Sequence, residues 1–488
     1  MDAPDLPGCA VGVVREGALA FGRGYGMANL EHGIPLDTRS VFRMGSVGKQ
    51  FTAGTVALLA LDGVIDLDAD IRTYLPELPD FGTPVTVRQL VHHTSGYRDY
   101  LGLVSLAGAR EEDYYDDPEL YRLLTRQEEL NFPPGSDFLY SNSGYFLLGQ
   151  LVLRVTGRSL AQVADDRIFR PLGMASTHYH DHWQRIVPGR ATGYAPAEWY
   201  RPGEEGPRTH DDAWPGYVAG AWAGGRDPFA GSDWVVSTTT LPMIGDGGVF
   251  SSVEEMVPWV AGLLEPAAAP GGQAWHDLMT SRGILTSGDT LDYAFGLSHG
   301  DHRGLRTLGH GGSFVGYRAG VQTWPDAGTG VVVLCNRGDV DPMDYAAQVG
   351  EVLLEDQMGP PPEEGEEGDS GAGAGPDGEA PPTVNLSSDQ RRALSGSYHS
   401  RELDAIWRIV DVDGAMRVRA GEGLDIPLQA AAPDRLFRGG LTLHFQLDGN
   451  GAASGFRADA GRVRNLDFVR VPPPGSAAPS ASGPGGAP

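Results

Sequence analysis

The sequence predicts a mixed α/β domain followed by a small antiparallel sheet or barrel, and three observations carry that prediction. Residues 7 to 358 mix apolar strand-like runs with amphipathic stretches, punctuated by Gly and Pro. Between Gly359 and Pro382 the composition changes to Pro, Gly, Ala and acid, with seven carboxylates and no basic residue. Beyond that, short runs alternate apolar and polar positions with period two, as half-buried strands do. A chain of 488 residues exceeds the usual single-domain size and fits one large core plus a second, smaller one.

In chain order, CAVGVVREGALAFGRGYG, with turn material at Glu16-Gly17, reads as an opening hairpin. VGKQFTAGTVALLALDG reads as a helix, with Val47, Phe51, Val56 and Leu59 facing the core, Gly63 as its stop and Ser46 at its N-terminus. These elements belong to a first domain, residues 1–358. Residues 359–384 read as a solvated acidic linker. In residues 385–473 the runs WRIVDVDG, AMRVRA, LTLHFQLDG and GRVRNLDFVRV, with hairpin turns at Asp413-Gly414 and Asp448-Gly449, form the second domain. The tail, 474–488, has the composition of a disordered segment.

The formal net charge of −27 argues against a nucleic-acid partner, because phosphate binding needs clustered Lys and Arg. No run approaches the ~18 apolar residues of a membrane span, so none is expected. Met1-Asp2-Ala3-Pro4 lacks the basic start and apolar core of a signal peptide, so the chain as written reads as cytoplasmic, and as extracytoplasmic if an export signal precedes it. Cys9 and Cys335, each in an apolar strand-like stretch, are expected to be buried free thiols rather than a bridge. The sequence is compatible with a homo-oligomer and does not specify one.

Of 37 basic residues only Lys49 is a lysine. Arg stays protonated in proteins, whereas Lys can be driven neutral by burial, so the two part company where a nitrogen base is needed. Ser46-Val47-Gly48-Lys49 places that amine three residues after a serine, on the same helical face and within reach of its hydroxyl. A serine hydroxyl is a weak nucleophile until a base takes its proton, and a helix N-terminus favours the oxyanion that follows. Tyr140-Ser141-Asn142 adds a hydroxyl able to relay a proton and an amide able to hold a substrate carbonyl. His310-Gly311-Gly312-Ser313 precedes the strand-like VGYRAGVQTW. Its glycines let a substrate approach the backbone, and the N–H groups of Ser313 and Ser46 can pair as an oxyanion hole. His310 is expected to steady substrate charge or the Tyr140 hydroxyl. Read singly, each motif is also a common structural pattern: a chance match, a core tyrosine beside a turn, a Gly-rich turn.

Together, S-x-x-K, then Y-x-N about ninety residues on, then H-x-G on a late strand resemble the serine β-lactamase and D-alanyl-D-alanine carboxypeptidase superfamily. LDGVIDLDADIRTYLPELP, VTVRQLVHHTSGYRDY, FRPLGMASTHY and GDGGVFSSVEEMVPWV resemble further landmarks of that family. The H-x-G variant is similar to its class C β-lactamase-like branch of peptidases, D-aminopeptidases and esterases. The resemblance implies a β-lactamase/transpeptidase-like α/β (α+β) fold, with an antiparallel sheet flanked by helices. It implies Ser46 as acylated nucleophile, Lys49 and Tyr140 as a proton-transfer pair, and Asn142, His310 and Gly312 as substrate-orienting groups. The second domain resembles the lipocalin-like β-barrel of some members, where it narrows the active-site mouth; its removal is expected to alter selectivity more than stability. The family usually has a helix before the first strand, which here begins within ten residues of Met1.

Other readings are weaker. His178-Tyr179-His180-Asp181-His182 would put three histidines on one strand face as a Zn site, but no later His cluster completes it. His92 and His93 are adjacent and point apart, with no acid placed beside them. Gln127-Glu128-Glu129-Leu130-Asn131 has Gln where class A β-lactamases carry their deacylating Glu, and it precedes Tyr140. Met44 stands where a G-x-S-x-G elbow needs Gly. The sequence therefore predicts a serine hydrolase without metal or cofactor, acting on a small molecule or short peptide. A peptidase or amidase for small or D-residue-containing peptides is favoured. A carboxylesterase or β-lactam hydrolase with the same site is the alternative. A non-catalytic binding or scaffold protein is disfavoured by the intact Ser46, Lys49 and Tyr140.

Overall fold

The computed structural model describes residues 4–109, 113–200, 231–360, 381–421 and 424–472. Most of the expected linker, at 361–380, and the expected disordered tail lie outside them.

The first domain is built on a six-stranded antiparallel sheet. Its strands are β1 (Cys9–Arg15), β2 (Ala18–Tyr25), β3 (Ser298–His302), β4 (Leu305–Phe314), β5 (Tyr317–Trp324) and β6 (Thr329–Cys335). Their spatial order is β3-β4-β5-β6-β1-β2, so the opening hairpin is added to the edge of a meander formed late in the chain. Strands β1 and β6 are buried on both faces, which explains why their sequences read as near-continuous apolar runs. Ala10, Val14, Val332 and Leu334 join the main core on one face, while Cys9, Val11, Val331 and Val333 form a second core on the other.

Six helices bear on this sheet and on the cleft beside it: α1 (Lys49–Leu61), α2 (Tyr100–Leu106), α3 (Asn142–Thr156), α4 (Val253–Leu264), α5 (Gly272–Met279) and α6 (Pro342–Leu354). Helix α4 covers one face of the sheet so closely that a Cβ on Gly12 would lie 2.4 Å from Val253 and one on Gly330 would lie 2.3 Å from Val260. On the opposite face α6 packs its Gly350 against Trp324.

The two cysteines are bonded to each other. This corrects the expectation of free thiols. β1 pairs with β6 in a register that sets Cys9 opposite Cys335, a neighbourhood that local sequence pattern cannot reveal across 326 residues.

The second domain is a closed eight-stranded barrel: β7 (Gly396–Ser400), β8 (Ala405–Val412), β9 (Ala415–Ala420), β10 (Leu424–Ala432), β11 (Arg435–Arg438), β12 (Leu441–Leu447), β13 (Ala453–Ala460) and β14 (Val463–Val471). Closure leaves no unpaired edge. Tyr398, Trp407, Phe445, Phe456 and Phe468 fill its interior. The barrel is no loosely tethered module. Its apolar residues and those of α2 belong to one continuous core, and the Trp407 indole donates to the Leu106 carbonyl at 2.7 Å. Arg98, 1% exposed, pairs with Glu402 of the barrel, 3% exposed. No helix among the described residues is long and apolar enough to cross a membrane.

Candidate active site

The chain enters the site through Phe42–Arg43 and reverses at Gly45, whose φ of +51° is a conformation glycine adopts without strain. Ser46 lies in the 3-10 turn Gly45–Gly48 that runs directly into α1. Strand β4 presses against this turn: a Cβ on Gly45 would come within 2.9 Å of the Ser313 nitrogen. One on Gly312 would sit 2.1 Å from the Met44 carbonyl and 3.1 Å from the Ser46 nitrogen. These contacts set the Gly312–Ser313 backbone of β4 directly against the turn that carries Ser46.

Lys49 is fully buried, at 0% exposure. Its Nζ reaches Ser46 Oγ (3.2 Å), Asn142 Oδ1 (2.7 Å) and the Asp246 carbonyl (2.8 Å). Of these three partners only the serine has a hydrogen to give. A neutral amine that keeps its two bonds to the carbonyl-type oxygens must therefore turn its lone pair toward Ser46.

Asn142 opens α3, and its N–H donates to Asp99 Oδ2 at 2.7 Å. The other oxygen of Asp99 caps α2 by accepting from Leu101 and Gly102. One buried carboxylate thus aligns both helices on Lys49. The Tyr140 hydroxyl is buried and has no hydrogen-bond partner among the described residues, and its ring centroid lies 4.8 Å from Lys49 Nζ. His93, at a φ of +59°, packs its ring 4.2 Å from that of Tyr140 and accepts at Nδ1 from the Ser141 N–H at 3.1 Å. Burial, followed by the charge of Lys49, holds the His93 imidazole well below its usual titration range.

His310 points into the same space but pairs with a residue the motifs did not flag: its Nε2 meets the Tyr293 hydroxyl at 3.0 Å, while its Nδ1 faces the Gly311 carbonyl at 2.5 Å. Nδ1 as donor leaves Nε2 to accept from Tyr293, which is the neutral tautomer; burial lowers the His310 pKa to about 4. Asp246, from the GDGG stretch, is fully buried; Oδ2 accepts from the Tyr100 hydroxyl at 2.9 Å and Oδ1 has no partner among the described residues. Burial pushes its carboxyl up to about 6, against the opposing influence of Lys49.

The structure thus gathers Ser46, Lys49, Tyr140, Asn142, His310, Gly312 and Ser313 in one cleft. It adds His93, Tyr293, Asp246, Asp99 and the barrel residue Arg462, whose guanidinium carbon lies 5.0 Å from the Tyr140 ring centroid. Asp246 had a weak signal, an acid inside a Gly-rich run; Tyr293 and Arg462 had none. The other sequence candidates lie elsewhere. His92 turns to the Ser281 carbonyl. The strand at His178–Tyr179 is two residues long, so the three histidines near it share no strand face. The segment 127–131 docks the barrel instead of facing Ser46: Gln127 accepts from Arg98, and Asn131 bonds to Arg462 and Arg464.

A family model described as beta-lactamase matches residues 1–353. The chain belongs to the beta-lactamase family. This beta-lactamase-family chain is similar to the D-aminopeptidase of Gluconobacter oxydans (strain 621H), 29% identical over 413 residues, covering 85% of this chain and 67% of that protein. It is 28% identical over 337 residues to the D-aminopeptidase of Cereibacter sphaeroides (strain ATCC 17029 / ATH 2.4.9), covering 68% and 57%. It spans between about half and two thirds of the length of the curated relatives it matches. Among solved structures, the octameric penicillin-binding protein homologue from Pyrococcus abyssi superposes with a TM-score of 0.58 at 19% identity, covering 96% of each chain. The D-amino acid amidase from Ochrobactrum anthropi SV3 complexed with D-phenylalanine gives 0.56 at 22% identity, covering 71% of this chain and 92% of that one. Both carry the same fold. Family membership makes the protein a serine hydrolase.

Proposed function

We propose that the protein is a serine peptidase or amidase acting on small substrates that contain D-residues, through an acyl-enzyme on Ser46. The observation that carries the reading is the buried Lys49 amine, held by two oxygens that can only accept so that its remaining valence faces Ser46 Oγ. In this mechanism Lys49 takes the Ser46 proton as Oγ attacks the scissile carbonyl. The N–H groups of Ser46 and Ser313 receive the developing oxyanion. Tyr140, whose hydroxyl has no other partner among the described residues, gives its proton to the departing amine; its phenolate then takes a proton from the water that attacks the acyl-enzyme, and Lys49 returns its proton to Ser46 Oγ. Asn142 Oδ1 is taken by Lys49, which leaves its Nδ2 for a substrate carbonyl, with Gly312 giving the substrate access to the strand backbone. His310, neutral and braced by Tyr293, lines the cleft without supplying charge. The D-residue preference is drawn from the D-aminopeptidases to which the chain is similar.

The test has two parts. A fluorophosphonate should add covalently to Ser46, read by peptide mass, and amides of D-amino acids should be cleaved faster than their L-enantiomers; no adduct on Ser46 contradicts the mechanism. Lys49→Arg and Lys49→Met should both lower acylation by about a thousandfold or more, because neither side chain can take the proton. Near-wild-type acylation in either would remove Lys49 as the base.

A further inference from the structure

The turn between β13 and β14 carries Arg462, and we propose that this residue sets substrate specificity. It is a cation supplied by the barrel to the catalytic cleft, and it selects substrates whose departing residue bears a carboxylate.

The position of Arg462 is fixed by its backbone. Its carbonyl accepts from the Asp99 N–H at 3.3 Å and from Asn131 Nδ2 at 2.9 Å. The Arg464 N–H donates to Asn131 Oδ1 at 2.7 Å. Arg98 donates to the carbonyls of Arg464 and Asn465, both at 2.8 Å. Val463 is so close to α2 that a Cβ on Gly102 would lie 2.8 Å from it. A hairpin tip clamped in this way has no freedom to withdraw its side chain by sliding, and the guanidinium comes to rest over Tyr140.

The charge that arrives there is not neutralised. Neighbouring arginines at the interface are paired, Arg98 with Glu402, Arg457 with Glu129 and Asp467, Arg464 with Asp137. Arg462 forms no ion pair among the described residues and is half-buried. The two buried carboxylates of the site are engaged elsewhere, Asp99 with backbone N–H groups and Asp246 with Tyr100. Tyr140 therefore has the Lys49 amine on one side and the Arg462 guanidinium on the other, and no carboxylate among the described residues pairs with Arg462. Arg462 is also one of the positive charges that keep His93 neutral.

The inference rests on the acyl-transfer reading above, in which Tyr140 protonates the departing amine. The residue that carries this amine must then lie against the Tyr140 ring, and its α-carboxylate comes within reach of Arg462. A carboxylate there gains a charge pair out of bulk water, and an ammonium there is repelled.

The measurement is kcat/KM for an N-acetylated D-dipeptide with a free C-terminal carboxylate and for its C-terminal carboxamide, in wild type, Arg462→Gln and Arg462→Lys. Wild type should favour the carboxylate by about tenfold, less at high salt. Arg462→Gln should bring the ratio close to one, and Arg462→Lys should keep a preference. Each ratio is taken within one enzyme, so a variant that merely loosens the interface lowers both rates and leaves the ratio at its wild-type value, which would overturn the proposal. A wild-type ratio at or below one, or a wild type that is acylated yet cleaves neither dipeptide, would overturn it too. Failure of the acyl-transfer reading shows itself separately, as a wild type that forms no fluorophosphonate adduct on Ser46.

Discussion

The Tyr140 hydroxyl is buried without a partner among the described residues, although its ring is packed on His93. An unpaired buried hydroxyl costs on the order of 1–3 kcal/mol, so Tyr140→Phe should leave stability unchanged or raise it by up to about 1 kcal/mol. If the hydroxyl moves the proton, kcat should fall by about a hundredfold or more. Urea unfolding beside steady-state kinetics reads both, and a variant that keeps kcat contradicts the assigned role. His310 makes a pH prediction. Its pKa is about 4 in the fold against an ordinary value near 6.5, so the unfolded chain binds the proton first as pH falls. The stability from its neutrality is complete above pH ~6.5 and is lost as pH falls toward ~4. The gap between wild type and His310→Gln in urea should shrink by about 2 kcal/mol from pH 7.5 to pH 5. Asp246 works in the opposite direction between about 6 and its ordinary value near 4, which is why the comparison with a His310 variant is needed. Ser46, Lys49, Tyr140, Asn142 and His310 were legible because each belongs to a short motif. Tyr293 and His93 were not, because what makes them site residues is a ring stacked on another ring from a distant segment.

At the scale of elements, the site is the place where strand β4 meets the turn before α1. Gly312→Ala puts a methyl 2.1 Å from the Met44 carbonyl, and backbone cannot yield as a side chain would, so the Ser46 turn must shift. The same change at Gly311 meets only the flexible Met343 side chain, at 3.2 Å. Gly312→Ala should therefore lower acylation of Ser46 by about a hundredfold or more, because a displacement near 1 Å is enough for that. Gly311→Ala should stay within about threefold, both followed by the rate of fluorophosphonate labelling. Equal effects of the two would mean that β4 does not position the turn. The opening hairpin and α1 were readable from period and stop signals. The pairing of β1 with β6, and with it the disulfide, was not, since strand order in a sheet is set by tertiary packing and leaves no local trace.

At the scale of the whole molecule, the barrel was visible as alternating runs with Asp-Gly turns, but its docking was not. That depends on Arg98, Gln127, Asn131 and Glu402, which form no pattern in sequence. Their burial means that removing the barrel would expose paired polar groups and apolar core as well as alter selectivity. Glu402→Gln leaves the Arg98 guanidinium buried without its counter-charge and should destabilise the protein by about 3–5 kcal/mol. The check is denaturant unfolding at neutral pH. A change below about 1 kcal/mol would mean that the pair is dispensable and that the apolar interface alone holds the domains together.

The burial of the only lysine has a practical corollary. A protease that cuts solely after lysine has one target in this chain, the bond following Lys49, and in the native state it is enclosed. Cleavage should therefore proceed at the rate or population with which the active-site helix opens, which makes proteolysis a label-free clock for that event. The cut separates residues 1–49 from 50–488, and the Cys9–Cys335 bond spans it. Nicked molecules should migrate as one species until reductant is added, and then as two.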